Sequence, residues 1–252
     1  MKWISVVAMF FLVNTAHAEV FPYKIGTDQA EGFLASPKNI KGKVPAVLIV
    51  HDWMGPSEFT DKKAQEIADL GYVALAADVY GKDVRPKDSK EAGALAGKYK
   101  NDRALLRRRI TAAYDALRAM KNVDPTKIVV IGYCFGGTTA LELARSGVPL
   151  AGTVTFHGGL SNPSPADAKK IKGKTLVMHG AVDPHVPVDE VAAFQKEMND
   201  AGVDYQFISY SGAVHSFTNP KANDFKAGAA YNAVADRRSW EEFKHFMKEA
   251  TE

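Results

Sequence analysis

The sequence predicts an α/β fold built on a mostly parallel, doubly wound sheet with helices on both faces. Three observations carry that expectation. Runs such as Val44–Val50 and Lys127–Ile131 are continuously apolar and β-branched, as strands covered on both sides must be. Amphipathic segments of helical period separate these runs, which argues for strand–helix alternation. The chain of 252 residues shows no repeat, low-complexity tract or interdomain linker, and is long enough for one domain with a sizeable core.

Residues 22–36 read as an edge hairpin or irregular strands. Val44–Val50 is the first central strand, followed by a helix over Ser57–Leu70 with Phe59, Ala64, Ile67 and Leu70 as its apolar positions and Gly71 as its stop. Tyr72–Ala77 is the next strand. A helix over Asn101–Met120 places Leu105, Ile110, Ala113, Leu117 and Met120 on one stripe. Its Arg107-Arg108-Arg109 run reads as a solvated face. Lys127–Ile131 is a strand and Gly136–Arg145 a helix. Strands follow at Leu150–Phe156 and Thr175–Met178. A helix over Val188–Ala201 stops at Gly202, Tyr205–Tyr210 is the last strand, and a final helix spans Ala229–Lys248.

The amino-terminal residues are set apart from this pattern. Met1-Lys2 supplies a positive start, Trp3–Val13 a short apolar run, and Ala16-His17-Ala18 a small-x-small cleavage signal. Residues 1–18 are therefore expected to be a cleaved secretory leader, with cleavage after Ala18 and residues 19–252 forming a single exported domain. In a Gram-negative cell its destination is the periplasm. The apolar run is too short to span a bilayer, so no stable membrane insertion is expected after cleavage. The formal net charge of +3, or +2 without Lys2 of the leader (31 minus 29), is too small to suggest nucleic acid or a membrane surface as the main partner. Nothing in the sequence fixes the oligomeric state; a monomer is the working expectation. Cys134 is the only cysteine, so the chain cannot form an internal disulfide.

That cysteine sits in Gly132-Tyr133-Cys134-Phe135-Gly136-Gly137, directly after an apolar strand and before a helix. A strand running into G-x-nucleophile-x-G and then a helix is the nucleophile-elbow arrangement of α/β-hydrolases, with cysteine replacing serine. Two other chemically apt residues also follow strands: Asp183 in Ala181-Val182-Asp183-Pro184, and His215 in Val214-His215-Ser216-Phe217. Nucleophile, acid and histidine thus occur in α/β-hydrolase order. His215 is the candidate general base for Cys134, and Asp183 the residue that orients its imidazole. The main-chain N–H of Phe135 is one candidate oxyanion donor. The N–H of Trp53, in the loop after Val44–Val50, is the other. His51, His157 and His179 also end strands, and with Asp52 and Asp183 they suggest a metal site. No H-x-x-x-H or H-E-x-x-H pair supports one, so they read as packing around the strand ends.

The set His51-Asp52-Trp53-Met54-Gly55, Asp78-Val79-Tyr80-Gly81, Gly132–Gly137, Asp183-Pro184 and His215-Ser216-Phe217 resembles the dienelactone hydrolase (carboxymethylenebutenolidase) family. The resemblance covers most of residues 25–248. It implies a lidless α/β-hydrolase that cleaves a small ester or lactone through a Cys-His-Asp triad, with no metal and no organic cofactor. It also implies that Asp52, where the family usually has glutamate, modulates the thiol. Arginines bind the substrate carboxylate in the family; Lys82 and Asn219 stand at those positions here, with Arg85 three residues past Lys82 and Tyr80 nearby. Lysine lacks the bidentate fork and asparagine lacks charge, so a neutral or less acidic ester or lactone is expected rather than the anionic dienelactone. The alternative is a non-catalytic ligand-binding or stress-related protein on the same scaffold.

Overall fold

The computed structural model describes residues 16–252. The apolar run of the proposed leader lies outside the described residues. Its cleavage signal overlaps strand β1 (His17–Ile25), where His17 and Ala18 pair with Ser36 and Ala35 of β2 (Asp28–Ser36). Cleavage after Ala18 would leave β1 starting at Glu19.

The remaining strands are β3 (Val44–Val50), β4 (Val73–Ala77), β5 (Val123–Tyr133), β6 (Gly152–Phe156), β7 (Lys174–Gly180), β8 (Tyr205–Tyr210), and the two-residue pair β9 (Asn223–Asp224) and β10 (Ala229–Ala230). The first eight form one sheet in the order β1-β2-β4-β3-β5-β6-β7-β8. The β1–β2 hairpin joins β4 antiparallel, and the six strands from β4 to β8 run parallel. This is the mostly parallel α/β-hydrolase sheet that the apolar runs predict.

Side chains of β3 show why those runs are continuous. Ala46, Leu48 and Val50 enter the core on one face, and Val47 and Ile49 enter the core on the other. The first core is closed by α2 (Ser89–Asn101), α3 (Arg103–Arg118) and α4 (Phe135–Arg145). The second is closed by α1 (Glu58–Asp69) and α6 (Ala233–Thr251). Helix α5 (Val188–Ala201) packs through Phe194 and Met198 on a third cluster beside β7.

Three expectations need correction. The helix expected over Asn101–Met120 is α3, Arg103–Arg118, and the separate helix α2 that precedes it across Asp102 is absent from the pattern reading. Asp88 caps α2 by accepting the Glu91 amide, and Asp102 caps α3 by accepting the Leu105 amide, each at 2.8 Å. Gly93 and Gly97 disguise α2, because glycine is a poor helix former and interrupts the apolar stripe. The last helix starts at Ala233 rather than Ala229, because the Asn232 carboxamide caps it and the preceding residues form β9–β10. The arginine run is not a solvated face. Arg109 is buried and donates to the carbonyls of Val79 and Tyr80 and to Asp28, while Arg107 bonds Glu142 and Asp167. Only Arg108 of the three is exposed. Arg109 thereby holds the loop after β4 against α3.

Candidate active site

Cys134 stands between β5 and α4 with φ 55° and ψ −115°, a backbone conformation that non-glycine residues avoid. Such strain costs about 1–3 kcal/mol and is held only where the surroundings enforce it. The flanking glycines make it sterically feasible. A Cβ at Gly132 would overlap the backbone of Gly136, and one at Gly136 would fall 2.6 Å from the His51 carbonyl. The Cys134 amide is anchored to the Phe156 carbonyl at 3.1 Å. The thiol is partly exposed at the floor of a pocket of about 430 Å³.

His215 and Asp183 arrive from the loops after β8 and β7. Nδ1 of His215 donates to Oδ2 of Asp183 at 2.8 Å, and His215 and Cys134 border the same pocket, with the charge of Cys134 acting on the ring. The other Asp183 oxygen accepts the His185 amide at 2.8 Å, so both carboxylate oxygens are engaged. The His215 main chain is clamped in turn: its N–H donates to Gly228 and its carbonyl accepts from Ala230. Burial disfavours the imidazolium, but the charge and side chain of Cys134 and the hydrogen bond and charge of Asp183 outweigh it. The net effect raises His215 to about 10.

The two expected oxyanion donors, Phe135 and Trp53, both border the pocket. Phe135 opens α4, so its amide has no intrahelical acceptor. Trp53 is held by its carbonyl, which accepts the Tyr80 hydroxyl at 2.9 Å. Asp52 accepts the Met54 amide at 2.8 Å. Burial raises its carboxyl above the ordinary range, opposed by that hydrogen bond and by the charge of His215. Burial, followed by the charges of Asp52 and Cys134, also raises Tyr80, which places all three in one electrostatic neighbourhood.

The expected substrate-binding residues lie elsewhere. Lys82 pairs with Glu31 at 2.6 Å, and Arg85 bonds Asp78 and the carbonyls of Gly81 and Val84. Asn219 accepts the Lys221 amide within a turn. Tyr80 packs between His51, Tyr99 and Phe135. None of the four borders the pocket. Its wall is made instead by Gly93, Ala96, Gly97 and Lys100 of α2, with His185 opposite. The sequence reading missed these residues because it missed α2; the Asp88 cap followed three residues later by Glu91 was the available signal. Lys100 and Glu190 flank Gly159, 3.9 and 3.8 Å from where its Cβ would lie, and Glu190 accepts the Leu160 and Ser161 amides.

A family model described as the dienelactone hydrolase family matches residues 30–251. The chain belongs to the dienelactone hydrolase family. The solved structure of a dienelactone hydrolase-like promiscuous phosphotriesterase from metagenomic libraries is 38% identical, covers 94% of this chain and 100% of its own, and superposes with a TM-score of 0.90. The Usf protein of Aquifex pyrophilus is 27% identical over 228 residues, or 88% of this chain and 94% of its own. A dienelactone hydrolase from Anabaena variabilis, 20% identical, covers 92% of this chain and 98% of its own with a TM-score of 0.68; at that identity it speaks for the fold alone. As a member of this family the chain is a carboxylic ester or lactone hydrolase with a small-molecule substrate.

Proposed function

We propose that this dienelactone hydrolase family member is an exported thiol hydrolase of small, neutral carboxylic esters or lactones. Residues 1–18 serve as its leader and 19–252 as its single domain. The observation that carries the mechanism is that His215, bonded to Asp183, borders the same pocket as Cys134. In acylation the Cys134 sulfur attacks the carbonyl carbon, and the negative charge that develops on oxygen is met by the amides of Phe135 and Trp53. The C–O bond to the leaving group then breaks as protonated His215 hands it a proton, leaving a thioester. In deacylation neutral His215 takes a proton from water, hydroxide adds to the thioester, and the C–S bond breaks to return thiolate beside imidazolium. Asp183 holds the ring throughout and stabilises its charged form.

The neutral-substrate reading is supported by Lys82 and Arg85, which are committed to Glu31 and Asp78 outside the pocket. A second reading, hydrolysis of phosphotriesters, is favoured by the 38% identity to a relative with that name.

The deciding experiment compares wild type with Cys134→Ala on short-chain aryl esters and on matched neutral and carboxylate-bearing lactones. Turnover lost in a folded Cys134→Ala protein, with the neutral set preferred, is the expected result. Equal turnover by the two proteins would overturn the mechanism, and preference for the anionic set would overturn the substrate reading. For export, the protein recovered from the periplasm should begin at Glu19.

A further inference from the structure

We propose that His157, at the end of β6, is a positioning residue that fixes the His215 imidazole between Asp183 and Cys134. This rests on the reading of His215 as the acid–base group. His157 does not border the pocket, so it acts through His215 rather than on substrate.

Three contacts join it to the segment that carries His215. Its ring lies edge-on to that of His215 with centroids 5.1 Å apart, and edge-on to Phe217 at 5.0 Å. Its Nε2 is 2.8 Å from Oγ1 of Thr218, a buried residue of the same loop. The His185 ring also lies edge-on to His215, with centroids 5.2 Å apart, so the working imidazole has two others within contact. Asp183 holds the ring through Nδ1. His157 and His185 restrict its remaining tilt.

His157 also breaks local rules in a way that packing alone does not require. Its φ is 42°, the left-handed region that favours glycine, and yet an imidazole rather than a glycine stands there. The ring is 3% exposed, and its Nδ1 has no hydrogen-bond partner among the described residues. Burial first, then the charge of His215, hold it neutral. A strained, incompletely bonded polar ring in a core is disfavoured unless its position is used.

The test combines kinetics with an NMR titration of the His215 ring, which needs no turnover. In His157→Ala, kcat should fall about 10- to 100-fold with KM within about twofold, the size of loss expected from a misplaced reacting group. The His215 inflection should move from near 10 toward 6.5. Thr218→Val and His157→Phe should shift both readouts in the same direction by less, since each keeps part of the contact. Wild-type kcat and wild-type His215 titration in His157→Ala would overturn the proposal. So would a fall in kcat with an unmoved titration, which would mark a merely structural role. If His157→Ala fails to fold, an unmoved titration in both milder variants would overturn it equally. Absence of ester turnover in wild type would defeat the hydrolase reading and leave the titration comparison standing.

Discussion

The Tyr80 hydroxyl donates to the Trp53 carbonyl at 2.9 Å, tying the loop after β4 to the loop after β3. The ring that makes this tie is itself packed against His51, Tyr99 and Phe135, with centroids 4.6, 5.5 and 5.5 Å away. Arg109 holds the Tyr80 carbonyl from α3 at 2.9 Å. Tyr80 is therefore a strut for the loop proposed to carry the Trp53 oxyanion donor, and it does not border the pocket. In Tyr80→Phe, loss of one hydrogen bond should lower stability by about 1 kcal/mol. If the Trp53 amide loosens, kcat should fall about tenfold with little change in KM. Thermal unfolding and steady-state kinetics on a short aryl ester read the two effects separately.

The raised His215 sets an alkaline limit on activity. A histidine at about 10 stays protonated through neutral pH, so kcat/KM should hold there and fall as pH rises through about 10. The stability this ring gains from its partners is present in full below its ordinary value of 6.5 and is lost as pH rises through about 10. Asp183→Asn removes both a hydrogen bond and a charge that raise His215. Its alkaline limb should move toward 6.5 and its kcat/KM fall about 100- to 10,000-fold, as a pH–rate profile would show.

Buried neutral histidines should make the protein sensitive to acid. His51 is lowered to about 4 by burial, the largest influence on it, and its ring nitrogens are engaged with the Asp52 carbonyl and the Val79 amide. Unfolding frees it to bind a proton near 6.5. The stability difference is thus complete above 6.5 and shrinks as pH falls toward 4, by about 1.4 kcal/mol per pH unit for one group. Urea denaturation of wild type and His51→Gln at pH 7, 5.5 and 4.5 isolates this contribution. The variant should show the shallower decline, and parallel curves would refute the assignment.

Asp52 bonds the Met54 amide rather than the thiol, and its influence on Cys134 is expected to be electrostatic. Removing a negative charge from that neighbourhood favours thiolate. Asp52→Asn should therefore be alkylated by iodoacetamide about three- to tenfold faster than wild type at pH 6. Identical rates across the pH range would remove the proposed thiol-modulating role.

Much of the architecture was legible because burial on both faces leaves a continuous apolar trace, and β3 through β8 all carry it in whole or in part. The elbow was legible because its steric requirement selects glycine at fixed offsets around one residue. Helix α2 was not, since Gly93 and Gly97 interrupt its stripe, and the pocket wall it supplies went unread with it. The partners of Lys82, Arg85 and Arg109 were equally hidden. Glu31, Asp78 and Asp28 are distant in sequence, or near by accident, and a charge in a string does not say which opposite charge it will meet.

Sequence alone determined the alternation of the central strands with most of the helices, the family resemblance and the three loops from which Cys134, Asp183 and His215 project. The tertiary structure decided which side chains face the pocket, which cations are already spent on carboxylates and which buried ring lies against His215. The physical reason is range. Periodicity and turn sterics act over a few residues and are written locally, whereas ion pairing, burial and ring contact depend on groups that only the folded sheet brings together.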